Sequence, residues 1–282
     1  MSYGDGKEMA ISGDQPVPKF AAPPVIETVL GVEFARLEKW GVPHFGIFWN
    51  QIKEQFPNYS VKPPLDSQIE DFDKPKPRAG PQLQFLSEPG FRCWFMDGEN
   101  RTLIQVQSNR FTFNWRKTGE ADAYPHYDES IRPAFQRVWR QFVDFVEQQQ
   151  LGEVDVVQSE VTYINHLEVG KGWDTPSDLG KVFPCWSGKT RGEFLGAPEN
   201  VGFDVTYRMP DEKGRLRIST KPAIRHEDGA EIIQLTLTAR GKPAGSDSDS
   251  VLRWLDMGRE WVVRGFTDFT SEQMHTLWRR SV

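Results

Sequence analysis

Apolar positions along this chain follow two rhythms, and they alternate in blocks. Val25–Phe34 (VIETVLGVEF) is dense in β-branched residues and predicts a strand. Over residues 43–56, Phe45, Phe48, Trp49, Ile52 and Phe56 recur at helical spacing, between an opening Pro43 and a closing Pro57. From 57 to 82 the pattern dissolves under repeated prolines, which predicts a loop or arm laid across the surface. Arg92–Met96, residues 103–107 and Arg110–Arg116 then read as a meander, with turns at Asp97-Gly98-Glu99-Asn100 and Ser108-Asn109. In the last of these strands, Phe111, Phe113 and Trp115 share one face, while Arg110, Thr112, Asn114 and Arg116 share the other. A long helix follows over about 128–149, with Ile131, Phe135, Val138, Trp139, Phe142 and Val146 as its buried stripe. Pro133 requires that its first turn lie near that residue.

The same order then repeats. Residues 156–167 (VVQSEVTYINHL) form a long strand and 176–183 a short helical candidate. Strands follow at 202–209, 215–223 and 231–240, then a helix over about 250–264, with Val251, Leu255, Gly258 and Val262 on one face. A last short helix starts at Thr270, with Gln273 at capping-box spacing. The expectation is an α+β protein of two similar halves, each an antiparallel sheet with helices on one face. Its boundaries are a disordered tail at 1–22, an N-terminal half at 23–151 and a C-terminal half at 152–282, the halves joining edge to edge in one sheet. The order is similar to that of the TATA-box-binding-protein saddle, a likeness of topology without functional weight.

Composition changes the picture in three places. With 19 Phe and 10 Trp in 282 residues, ample large side chains exist for a core. The net charge of −6 argues against a surface built for non-specific attraction to a phosphate backbone, although a sum hides a local basic groove. Two cysteines, Cys93 and Cys185, are too few for a disulfide scaffold and form no CxxC, so reduced thiols in a cytoplasm are expected. The polar, Gly- and Pro-rich opening lacks the apolar core of a signal peptide, and no apolar run approaches the roughly 20 residues that span a bilayer.

Several strings resemble a known family: PPVIETVLGVEF at 23–34, residues 45–56, the stretch 103–117 ending in NWRK, residues 124–145, EVTYINH at 160–166, and WLDMGREWVVRGFTDF at 254–269. Together they look like a sporadically distributed prokaryotic family of about this length that carries no assigned function. The resemblance implies a bacterial or archaeal cytoplasmic protein, in keeping with a mobile or defence-related gene. It implies no reaction, cofactor or catalytic residue.

Candidate chemistry is sparse. Ser187-Gly188-Lys189-Thr190 lacks the earlier glycine of a phosphate-binding loop, since that position is Phe183. His44, His126, His166, His226 and His275 make no metal-binding spacing, and GxSxG is missing. The best polar constellation is EVTYINH. In a strand, Glu160, Thr162, Ile164 and His166 face one way, and Val161, Tyr163, Asn165 and Leu167 the other. Glu160 and His166 then stand about 20 Å apart, too far for a direct acid–base pair. A solvated sheet face with cross-strand pairs, such as Glu160 against an arginine, is the simpler account. Arg116 can hold a carboxylate or phosphate by paired contacts.

These readings favour binding over catalysis. The leading expectation is an interaction protein that meets a protein partner, or a second copy, through a sheet edge or the 57–82 segment. The alternatives are a small-ligand receptor or enzyme with a site between the halves, wagered on Arg116, Glu160, Asn165 and His166, and nucleic-acid binding through arginine-bearing strands (Arg208, Arg215, Arg217, Arg225). No cofactor, metal or membrane association is expected.

Overall fold

The computed structural model describes residues 15–72, 90–188, 192 and 194–282. Nine strands form one antiparallel sheet in the order β2-β3-β4-β5-β1-β6-β9-β8-β7. They are β1 (Val25–Phe34), β2 (Asn58–Lys62), β3 (Arg92–Met96), β4 (Thr102–Gln107), β5 (Arg110–Arg116), β6 (Val156–Glu168), β7 (Phe203–Arg208), β8 (Arg215–Ile224) and β9 (Glu231–Gly241). The helices are α1 (Val42–Ile52), α2 (Arg132–Gln148), α3 (Ser248–Phe269) and α4 (Glu272–Leu277). The first strand, β1, lies at the middle, between β5 and β6, with Leu30 opposite Phe113 on one side and Val161 on the other.

Strand alternation decides the two faces. Leu30, Val32, Phe34, Phe111, Phe113, Trp115, Val161, Leu235 and Leu237 are buried on the helix-covered face. Phe135, Trp139 and Phe142 of α2 meet Phe111 with ring centroids 6.3, 5.5 and 5.0 Å away, and Phe34 and Trp40 close the cluster. Burying such rings is the main stabilising term available to this chain. Over the second part of the sheet, α3 lies close to β6. A Cβ on Gly258 would stand 3.2 Å from Val161 Cγ2 and 2.9 Å from its own helix's Trp254, so the glycine permits that approach.

The expected strands at 25–34, 92–96, 110–116 and onward are present, and the corrections are local. Residues 58–62 form the edge strand β2 rather than part of an irregular arm, because Tyr59 and Val61 alternate with polar neighbours between Pro57 and Pro63. The helix expected from 128 begins with a π-helical turn at Tyr127–Ile131 before α2, and Pro133 falls in the first turn of α2. The helix expected over 250–264 extends to Ser248–Phe269, with the Asp247 carboxylate accepting from Ser250 N at 2.8 Å as its cap. The last helix is capped by Ser271, not Thr270. Residues 176–181 form a 3-10 helix. Of the tail expected at 1–22, residues 1–14 lie outside the described residues, but Phe20 is buried at 8% exposure. It packs on Phe266 and pairs its backbone with Arg280.

Beyond β2, residues 63–72 cross the open face of the sheet as a strap; 73–82 lie outside the described residues. Leu65 N donates to Gln107 Oε1 at 3.0 Å, Glu70 N donates to Gln158 Oε1 at 2.9 Å, and Arg110 Nη2 donates to Asp66 O at 3.2 Å. Glu70, its side chain only 2% exposed, pairs with Arg215 at 2.6 Å and with Arg217. The guanidiniums of Arg215 and Arg208 stand 4.2 and 5.0 Å from the Phe72 ring centroid. The strap therefore links β4, β5, β6 and β8 across one end of the sheet.

Candidate functional site

The open face of the sheet is polar, and most of its charges are matched in place. Glu160 on β6 pairs with Arg240, its register partner on β9, and accepts from Thr162 Oγ1 at 3.1 Å. Glu33 pairs with Arg110 at 2.6 Å. Arg225 joins Glu168 at 3.0 Å and Asp228. On the outer side of β9 a groove of about 550 Å³ is lined by Arg217, Lys221, Thr206 and Thr238, among others.

The four wagered residues do not share one lining. Arg116 lies on the open face, where Nη2 donates to Asn100 O at 3.0 Å. Glu160 and His166 lie on the same face further along, Glu160 held by Arg240 and His166 opposite Gln234. Burial, and then the nearby Arg225, holds the His166 imidazole below its usual pKa. Asn165 points to the opposite, helix-covered face, where it is buried and donates from Nδ2 to Leu235 O at 3.0 Å.

Asn165 leads to the better-formed site. A cavity of about 280 Å³ lies between residues 18–25, β6, the approach to α2 and α3. That volume is close to the lower end of the range for small-molecule sites, about 300 Å³. Its walls include Val25, Leu237, Val262 and Phe266, and its polar groups include Tyr124, Tyr163, Asn165 and Arg259. Tyr124 and Tyr163 place their hydroxyls 2.7 Å apart. Burial pushes both phenols above their usual pKa, so both are protonated at neutral pH. One bond between two hydroxyls uses one proton, which leaves a second O–H to donate elsewhere. Arg259 stands over the Tyr127 ring at 5.5 Å, approaches Asp128 only to 3.9 Å and hydrogen-bonds the Tyr163 hydroxyl.

The rim of this cavity is unusual in backbone as well as side chain. His126 adopts φ 57° and ψ 143°, a conformation that costs a non-glycine residue on the order of 1–3 kcal/mol. The π-helical turn Tyr127–Ile131 follows directly, held at its outer end by Tyr127 Oη donating to Asp256 at 2.9 Å and by a two-pronged Arg132–Asp256 pair at 2.7 and 2.9 Å. Both features recur at functional sites because such strain persists only where surrounding contacts enforce it.

Sequence reasoning reached Asn165 but not Arg259, Tyr124 or His126. A signal for Arg259 was present: it sits four residues after Leu255 and three before Val262, a cation inside an apolar helical stripe. Among the described residues no three His, Cys, Asp or Glu side chains gather as a metal site, and no helix is long and apolar enough to cross a membrane. Lys189 and Thr190 lie outside the described residues. No protein-family model, curated protein or solved structure matches this chain.

Proposed function

We propose that the chain is a small-molecule binding protein whose ligand occupies the cavity between α3, β6 and residues 18–25. The observation that carries this reading is the convergence of Arg259, Asn165 and the Tyr124–Tyr163 hydroxyl pair on one apolar-walled cavity. A cation and a phenol O–H among apolar walls favour an acceptor oxygen on whatever fills the space. The ligand is then a small apolar body bearing a carbonyl or carboxylate oxygen. Thermal-shift measurements with small aromatic and branched aliphatic carboxylates and their amides test it, using Val262→Trp to fill the cavity. A rise in Tm in the parent protein that vanishes in Val262→Trp supports the site; a rise that persists in the variant removes it.

A second reading, association with a protein or a second copy, is favoured by β2. This edge strand exposes Tyr59 and Val61 at 64% and 59%, an invitation to pairing. A monomer by light scattering at every concentration, with no partner retained through β2, counts against it. We also read the sheet as two similar halves joined through β1 and β6. In support, β5 flanks β1 as β9 flanks β6, and each of these last strands leads to a long helix. A cytoplasmic setting suits the two free thiols: Cys185 is exposed, and burial raises the Cys93 thiol to about 11.

A further inference from the structure

On the open face, far along the sheet from Glu70, three cations surround one indole. Lys62 on β2 brings Nζ within 5.0 Å of the Trp94 ring centroid. Arg92, beside Trp94 on β3, and Arg116 on β5 bring their guanidinium carbons to 5.6 and 5.5 Å. Cation–ring attraction offsets part of the repulsion among these charges, and the local sum stays positive even with the Glu27 carboxylate opposite Arg116. Arg92 donates to the neutral Gln105 at 2.7 Å, and Arg116 to a backbone carbonyl. The neighbouring carboxylate, Glu27, stands opposite Arg116 in the β1–β5 register and attracts it, while Asn114 Nδ2 donates to it at 2.6 Å and burial pushes its carboxyl above the usual range.

Elsewhere on this face Arg110, Arg215, Arg217, Arg225 and Arg240 all pair with a carboxylate. The Arg215–Arg217 cluster is filled by Glu70 from the strap, which displays what such a cluster accepts: an oxyanion placed between two guanidiniums. The Trp94 cluster has one cation more. We propose that it binds a phosphate group, whose several acceptor oxygens and up to two charges match three cations better than a carboxylate does. The phosphate can be borne by a small molecule or by a nucleic-acid strand. This site lies on the opposite face from the cavity and does not depend on it.

The test uses the full chain labelled with 5-fluorotryptophan, its Trp94 fluorine resonance assigned by Trp94→Phe. Inorganic phosphate, a short single-stranded oligothymidylate and succinate are titrated in turn. The expected result is a saturable shift of the Trp94 resonance with phosphate or oligothymidylate, weakened about tenfold or more in Arg116→Gln and Arg92→Gln. The other tryptophan resonances report that each variant is folded. A shift with inorganic phosphate assigns a small phosphorylated ligand; a shift with oligothymidylate alone, declining with salt, assigns a strand. No shift with either, a shift unchanged in both variants, or succinate binding as tightly as phosphate overturns the proposal.

Discussion

The two faces of the sheet use their polar groups in opposite ways. Along most of the open face, charge is answered from within the chain: Arg110 by Glu33, Arg240 by Glu160, Arg215 and Arg217 by Glu70. Under the helices, a smaller set of polar groups is gathered among apolar walls, with Arg259 and the Tyr124–Tyr163 pair lining one cavity. The difference separates structural polarity from polarity available to a ligand. A polar sheet face is not a binding surface merely because it is rich in arginine; the test is which charges the fold itself leaves unanswered and facing open space.

The largest effect is expected where an internal pair is broken. Glu70→Gln leaves Arg215 and Arg217 without their carboxylate and should lower stability by about 3 kcal/mol, read by denaturant unfolding, with cavity binding unchanged. Burial alone would raise the Glu70 pKa, but its bonds to Arg217 and Arg215 outweigh burial and hold it down. A carboxyl lowered in the folded state adds stability above its unfolded pKa, near 4.5, and loses it as pH falls through the folded value. The variant's deficit should therefore shrink in acid.

On the cavity side, Arg259→Gln should leave stability within about 1 kcal/mol of the parent while weakening the ligand roughly tenfold or more, read by calorimetry. A smaller effect of opposite sign is expected at the rim. Glycine accepts φ near +57°, so His126→Gly should raise stability by about 1 kcal/mol and loosen the ligand, sharpening the claim that strain is kept there for a purpose. The smallest effect belongs to Glu27, whose carboxyl is raised by burial. Its contribution is fully present below its unfolded pKa and is lost as pH rises through the folded one. Glu27→Gln should therefore gain relative to the parent between acid and neutral pH, the reverse of Glu70→Gln, in paired thermal melts.

What the sequence made legible follows from where the determining forces act. The alternation in RFTFNWR and EVTYINH is local, so the faces of Phe111, Trp115, Glu160 and Asn165 were readable, as was an arginine opposite Glu160. The strand β2 was not, because five residues between prolines carry too little pattern to stand out from a loop. The strap's anchoring was illegible for a different reason: Glu70 meets Arg215 across 145 positions, a contact set by sheet order and not by neighbours. The cavity joins residues near 20, 124, 163 and 259, so only the assembled fold brings Arg259 to the tyrosine pair.

The most direct measurement is native mass spectrometry of the full chain purified gently from cells, alongside Val262→Trp. A small molecule should be retained on the parent protein and absent from the filled-cavity variant, its mass giving the ligand's class. A parent protein that carries nothing, or a bound mass that persists in Val262→Trp, would contradict ligand binding in the cavity.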